Sequence, residues 1–360
     1  MKQTTSDTFQ DGTEMNLSDH KNKKIKQFIE VNSVTELVSA CLLWLTCLAP
    51  GLLIAEESKL YSLKNGQTVA PLEQFQECEQ CPEMIVMPLG SFMMGATQEE
   101  SRDPFDFYGE NATKTRRAPD DIHIIPHEHP RHEVEIDIPF AMGRNEVTHA
   151  EWMRCVNAER CTHNPEHRIL RLGGYVLLGP DHPVINVSFE DAQEYLSWLN
   201  SLVGDDVYRL PTEAEWEYSA KAGAQTRYAQ GNDITAEQAN FSGDATETTL
   251  GVRPPGLADR DMSVRVEELD AANSWGLRHM SGNVQEITQS CWSETHLGLA
   301  SDSEYLNLQP GTNNCWRVLK GGSYATGIDG LRPAMRRKTR PEWRNDSHGF
   351  RVVRELNLGK

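Results

Sequence analysis

RVLKGGSYATGIDGLRPAMRRKTRPEWRNDSHGFRVVR, residues 317–354, is the stretch on which the reading of the whole chain turns. An apolar pair, Val318 and Leu319, leads through Lys320 into Gly321 and Gly322 and then into Ser323 and Tyr324. Paired glycines after a strand-like stretch mark a turn whose backbone angles or close approaches leave no room for a Cβ. A basic run follows, with Arg332, Arg336, Arg337, Lys338, Arg340 and Arg344, and the stretch closes on the strand-like Gly349-Phe350-Arg351-Val352-Val353. After Cys315 the chain has no cysteine.

Working outward, 360 residues with 38% hydrophobic and 8% aromatic content describe a globular chain with a sizeable core, in one large domain or two modest ones. The formal net charge of −18 argues against a general nucleic-acid binder, whose surface must neutralise phosphates. The basic run sits at the C-terminal end, so the acidity lies elsewhere and an anionic ligand at a C-terminal site is not opposed locally.

Residues 1–36 form a polar, basic leader, with Lys21, Lys23, Lys24 and Lys26 just ahead of an uncharged apolar run over residues 37–55. That run approaches the length that spans a bilayer as a helix. Lysines before it and Glu56-Glu57 after it predict an N-inside orientation. Pro50-Gly51 favours a cleaved signal peptide and the long leader favours an uncleaved signal anchor, and both place the domain outside the cytoplasm. Val38-Ser39-Ala40-Cys41 has the look of a lipoprotein cleavage box, though the residues ahead of it are too polar. The expected location is therefore periplasmic or otherwise extracytoplasmic, with attachment to the inner membrane if the segment is retained. Residues 56–76 read as a linker and residues 77–355 as the domain.

Of eight cysteines, Cys41 and Cys47 fall inside the apolar run. The others form local pairs, Cys78 with Cys81, Cys155 with Cys161 and Cys291 with Cys315, which in an exported chain predicts a disulfide framework. The Cys78-x-x-Cys81 spacing also suits a redox motif or half a zinc site, but no second such pair or strand-to-helix pattern accompanies it.

Met84-Ile-Val-Met-Pro-Leu-Gly-Ser-Phe-Met-Met-Gly95 predicts two apolar strands joined as a hairpin, followed by a charged surface loop over 96–122. His123, His127, His129 and His132 then crowd together. Four imidazoles suit a metal, but the alternation of Val134, Ile136 and Ile138 makes them surface and strand-start residues. Thr148, Ser188 and Thr212 are predicted helix caps. Asp191 and Glu215 complete capping boxes, and Gly223 ends the third helix. Glu213, Glu215 and Glu217, spaced by two, diverge around that helix and are expected to be solvated or capping. Residues 224–270 read as polar and irregular.

These motifs together resemble the formylglycine-generating enzyme (sulfatase-modifying factor) family. The resemblance rests on CPEMIVMPLGSFMMG, the EVT-x-x-x-W helix start at Glu146, PVINVSFEDAQEYLSWLN, YRLPTEAEWEYSAKAG, WGLRHMSGNVQE and the terminal KGGSY to GFRVVR frame, in the family order. It implies an α+β fold with a C-type-lectin-like core and little regular secondary structure. It also implies two redox cysteines between GGS and GFR, which in the active enzymes bind copper(I) and engage a substrate cysteine. Here the corresponding residues 325–331 carry no sulfur, and Thr326 offers no soft ligand, which argues against copper. One family calcium site maps to His279, Gly282, Val284 and Glu286, with a nitrogen ligand where calcium takes oxygen. A second maps to Asn240 and Phe241 with Asp259 or Asp261.

The function implied is an exported or membrane-anchored binding or accessory module of the envelope. A protein, peptide or small molecule would be held in a C-terminal groove lined by Ser323, Arg332, Arg336 and Arg344. The alternatives are a cysteine-independent oxidoreductase of the pyoverdine-maturation kind and, third, a formylglycine-generating protein-cysteine oxidase. The spaced arginines have a plainer reading as partners of acidic neighbours.

Overall fold

The computed structural model describes residues 60–101, 125–250, 253, 255–296, 302 and 315–358. All of these belong to one compact unit, Glu57–Lys360. The leader, the apolar run at 37–55 and His123 lie outside the described residues. Among the described residues no helix is long and apolar enough to cross a membrane.

Three helices begin where their caps predict. In α1 (His149–Asn157), α2 (Phe189–Val203) and α3 (Glu213–Lys221), the hydroxyls of Thr148, Ser188 and Thr212 accept the backbone N–H of Glu151, Asp191 and Glu215. Each carboxylate accepts the cap residue's own N–H in return, at 2.8 Å in all three. Two orphan donors are thereby satisfied at each start. At the end of α3 the left-handed turn comes one residue earlier than expected, at Ala222 (φ 46°), with Gly223 following. A fourth helix, α4 (Gly243–Leu250), lies in the stretch read as irregular. Its run of small and polar residues carries little helical periodicity.

The strands are short, and β8 (Arg168–Arg171) and β9 (Gly174–Leu177) pair only with each other among the described residues. β3 (Gln74–Phe75), β4 (Met84–Val86), β7 (Phe140–Gly143), β10 (Tyr208–Arg209) and β15 (Val353–Glu355) form a five-stranded sheet in the order β10-β15-β7-β4-β3. β5 (Gly90–Met94) pairs instead with β6 (His132–Ile136). The expected hairpin over 84–95 is therefore not formed. Met84, Ile85 and Val86 are all buried, so β4 needs cover on both faces and sits between two other strands while the chain passes to a second sheet.

Much of residues 56–76 also belongs to the fold rather than to a linker. β1 (Tyr61–Ser62) lies between β2 (Thr68–Val69) and β16 (Asn357–Leu358), and Tyr61, Val69 and Phe75 are core residues. Single apolar residues in two-residue strands leave no period to read.

The sheet that positions the site has the order β13-β12-β11-β14, from β11 (Gln285–Cys291), β12 (Arg317–Lys320), β13 (Arg337–Thr339) and β14 (His348–Gly349). β14 runs parallel to β11 and the other neighbours are antiparallel. The main core packs α2 against this region. Tyr195 stacks on Trp152 with centroids 5.7 Å apart, and Phe350 meets both rings edge-on. Such geometry adds roughly 0.5–1.5 kcal/mol per pair beyond area burial. All three predicted disulfides are formed, Cys78–Cys81, Cys155–Cys161 and Cys291–Cys315.

Candidate functional site

β12 delivers the chain to Gly321 and Gly322, both with positive φ (87° and 70°). A Cβ on Gly322 would lie 2.6 Å from the carbonyl oxygen of Gly330, so only glycine lets this turn close over the 3-10 segment Ile328–Leu331. Thr326 accepts the backbone N–H of Ser323 at 2.9 Å and shares a 3.1 Å hydroxyl contact with its side chain. The Thr326 carbonyl accepts from Ser242 N at 2.9 Å, and Ile328 N donates to Thr246 Oγ1 at 3.0 Å, which ties the turn to α4. Ser323, Thr326 and Leu331 are all buried. Where the resemblance implies a thiol pair, this chain has a hydrogen-bonded turn and an apolar plug.

Beneath the turn, Lys320 is fully buried and donates to Glu217 at 2.9 Å, with Glu213 at 3.7 Å. Glu217 also holds Lys221 at 2.9 Å and accepts Gly95 N at 2.7 Å. Glu213 pairs with Arg336. Burial alone would raise the Glu217 carboxyl, but Lys221 and Lys320 outweigh it and hold the group well below the carboxylate range. The same balance, with Arg336 and Lys320 as the cations, lowers Glu213. His296 beside them is pushed down to about 4, mainly by burial, against the pull of the two carboxylates. The glutamates of α3 are thus neither solvated nor merely capping. Glu215, besides its cap role, pairs with Arg209 at 2.6 Å.

The arginines expected on a groove wall are engaged elsewhere. Arg332 makes a two-bond buried pair with Glu128, at 2.7 and 2.9 Å. Arg336 donates to Glu213 and to the carbonyls of His127 and Ser293. Arg344 clamps Asp191 at 2.7 Å through two nitrogens, at the start of α2. Each of the three has an acidic neighbour as partner, as the plainer reading expects. Among the described residues no three His, Cys, Asp or Glu side chains converge as metal ligands.

Neither calcium set fits a calcium ion. Both oxygens of Glu286 accept from Arg351 at 2.6 Å, and Trp216 Nε1 donates to one of them at 2.6 Å. A guanidinium at that carboxylate opposes a divalent cation. His279 is buried, and burial followed by the charges of Arg278 and Arg351 lowers its pKa to about 3. Gly282 and Val284 occupy backbone positions beside it, where Gly282 bridges to Asn240 and Val284 packs on Ile169 and Ile185. Nearby, burial and then the charge of Glu286 push the Glu146 carboxyl well above its ordinary range. In the second set Asn240 donates to the Met262 carbonyl, and its own Oδ1 is buried without a partner. Phe241 packs with Tyr228 and Leu331. Asp259 is held by Arg253 and Asp261 by Arg171, so neither joins Asn240.

The open space next to the turn is a cleft of about 460 Å³. Ile234, Leu257 and Ile328 give it an apolar floor, and the Arg227–Asp329 ion pair, Asp233 and Glu237 stand around it. Tyr228 donates its hydroxyl to the Ile328 carbonyl at 2.9 Å. The sequence reading missed this cleft and the Lys320 network. One signal was available: a lysine ending the apolar strand RVLK needs buried carboxylates, and α3 supplies them.

Residues 70–356 match the model of the sulfatase-modifying factor enzyme 1-like domain. Over 240 residues the chain is 30% identical to a serine/threonine-protein kinase pkn1 of Chlamydia caviae, covering 63% of this chain and 34% of that protein. It is 28% identical over 267 residues to a hercynine oxygenase of Mycolicibacterium thermoresistibile, covering 66% of this chain and 55% of that protein. The chain thus spans about a third of the length of the pkn1 relatives it matches. The solved structure of PvdO from Pseudomonas aeruginosa superposes with a TM-score of 0.61 at 27% identity, covering 80% of this chain and all of that one. The motifs, the α+β architecture and the matched span agree: the chain belongs to the sulfatase-modifying factor enzyme 1-like (formylglycine-generating enzyme) family.

Proposed function

We propose that this protein is a family member without formylglycine-generating activity that works outside the cytoplasm as a binding or accessory module. Its ligand site is the cleft beside residues 325–331. The observation that carries this reading is the fate of the cysteines. All six in the domain are tied in disulfides, and the turn that would present a thiol pair presents the Thr326 hydroxyl, already hydrogen-bonded. A thiol in a disulfide supplies no thiolate for copper(I) or for substrate exchange. The disulfides also support an extracytoplasmic location. The cleft suits a small molecule or peptide with an apolar body and a basic group, since Asp233 and Glu237 lie around an aliphatic floor and the Asp329 charge is already met by Arg227.

The test uses the full chain and two readouts. A Cys-x-Pro-x-Arg peptide with copper(I) and oxygen should stay unconverted by mass spectrometry, and conversion above the enzyme-free control overturns the reading. A thermal-shift screen of amine-bearing apolar peptides should find stabilisers whose effect is lost in Leu257→Arg.

A cysteine-independent oxidoreductase is the second reading, supported by the similarity to a hercynine oxygenase. Under it, oxygen uptake would accompany turnover of a compound bound in the same cleft, and Leu257→Arg would abolish both.

A further inference from the structure

A second surface, built on the edge strand β13, has no part in the cleft. Arg336, Lys338 and Arg340 interleave with Trp292, Trp316 and Trp343. The Arg336 guanidinium lies 4.8 Å from the centroid of Trp292, and the Lys338 ammonium lies 5.1 Å from Trp292 and 5.6 Å from Trp316. The Arg340 guanidinium stands 5.2 Å from Trp316 and 5.0 Å from Trp343. The two outer indoles meet edge-on at 5.7 Å. The row begins at the buried Arg336–Glu213 pair and ends in solvent, where Trp316 is 37% and Trp343 49% exposed.

Its construction is rigid. Trp292 and Trp316 each follow a cysteine of the Cys291–Cys315 bridge, and Trp292 N donates to the Trp316 carbonyl at 2.7 Å. Among the described residues Lys338 has one carboxylate partner, the exposed Glu294 at 3.1 Å. Among the described residues Arg340 has no carboxylate within ion-pair distance, in a chain whose net charge is −18. Protecting a sheet edge from pairing requires a lysine or arginine and no exposed tryptophans. Exposed indoles flanked by available cations are binding hardware instead.

We infer that this row is a binding site for an acidic polysaccharide, a polymer of uronic acid or sulfated sugar. Each repeat would lay an apolar pyranose face on an indole and direct its carboxylate or sulfate to Arg340 or Lys338. An acidic peptide supplies the charge without the ring face. A nucleic acid supplies both, but its higher charge density meets stronger repulsion from a strongly acidic protein.

The test is affinity electrophoresis of the full chain in gels containing polygalacturonate, chondroitin sulfate or neutral dextran, at two salt concentrations. The expected result is retardation by one of the acidic polymers, weakened by salt, and none by dextran. Arg340→Gln and Trp343→Ala alter exposed side chains, so their unfolding curves should match the parent while each weakens binding about tenfold. The proposal is overturned by no retardation in either acidic gel, by equal retardation in dextran, or by variants that bind like the parent. It is also overturned if polyglutamate or single-stranded DNA of matched charge binds more tightly. Because neither variant touches the cleft, these outcomes are independent of the thermal-shift screen.

Discussion

Two of the arginine–carboxylate sites, those of Arg351 and Arg253, differ in burial, and burial makes them different objects. Arg351 sits in the interior with Glu286, and it also donates to the carbonyls of Gly143 and Arg278 at 3.0 and 2.8 Å. Arg253 sits at the surface among Asp244, Glu247 and Asp259. Arg351 has one carboxylate partner and Arg253 has three among the described residues. In the interior, however, neither charge has water to return to, whereas at the surface every group does. A count of ion pairs would rank the Arg253 cluster above Arg351, and the energetics rank them the other way.

Arg351→Met is the strongest way to break this contrast. It strands Glu286 beside Glu146, and a loss of about 3–5 kcal/mol is expected in urea unfolding. The double variant Arg351→Met/Glu286→Leu should recover at least half of it, since both charges then leave together. Failure to recover would mean that the carbonyl contacts of Arg351, not its charge, hold the region.

Lys320→Met should lose less, about 2–4 kcal/mol, because Glu217 keeps Lys221 and Glu213 keeps Arg336. A loss equal to that of Arg351→Met would show that Lys320 anchors the site alone.

Acid sharpens the contrast further. His296 is buried neutral, with its pKa lowered from 6.5 to about 4, so its contribution is present above 6.5 and disappears as pH falls toward 4. Glu213 and Glu217, also lowered, add a loss that begins below their ordinary value of 4.5. Urea midpoints at pH 7, 5.5 and 4 should fall steadily, with roughly 2–3 kcal/mol traceable to His296. His296→Asn should flatten the upper part of that slope, and an unchanged slope would assign the acid sensitivity to another group.

Arg253→Ala defines the small end. Its unfolding midpoint should be indistinguishable from the parent in salt that screens surface charge. A resolvable shift there would mean that the cluster braces α4 against the turn.

What could be read in advance follows the same division. Capping boxes are local, covalently spaced patterns, and Thr148, Ser188 and Thr212 were legible because cap and carboxylate lie three residues apart. The local cysteine pairs were legible for the same reason. Glu213 and Glu217 were not, because the cations that bury them, Lys320 and Arg336, come from more than one hundred residues away. The apolar run at Met84 announced a strand but not its neighbours, which are set by β3 and β7. In sequence, Arg332, Arg336 and Arg344 are marked only by being numerous and close together. Their partners Glu128, Glu213 and Asp191 become visible only once the chain is folded.

The spacing of the three disulfides has a consequence for how the molecule is made. Their sequence separations are 3, 6 and 24 residues, none overlapping another. Six thiols admit many pairings, but loop-closure entropy grows with length, so each thiol's most accessible partner is the native one. Under the proposed export, a chain emerging on the oxidising side of a membrane from its N-terminal end would expose Cys78 with Cys81, then Cys155 with Cys161, then Cys291 with Cys315. Each bond can close before the next thiol arrives. Maturation would then need an oxidant and little reshuffling, and the order of synthesis itself serves as the proofreading step.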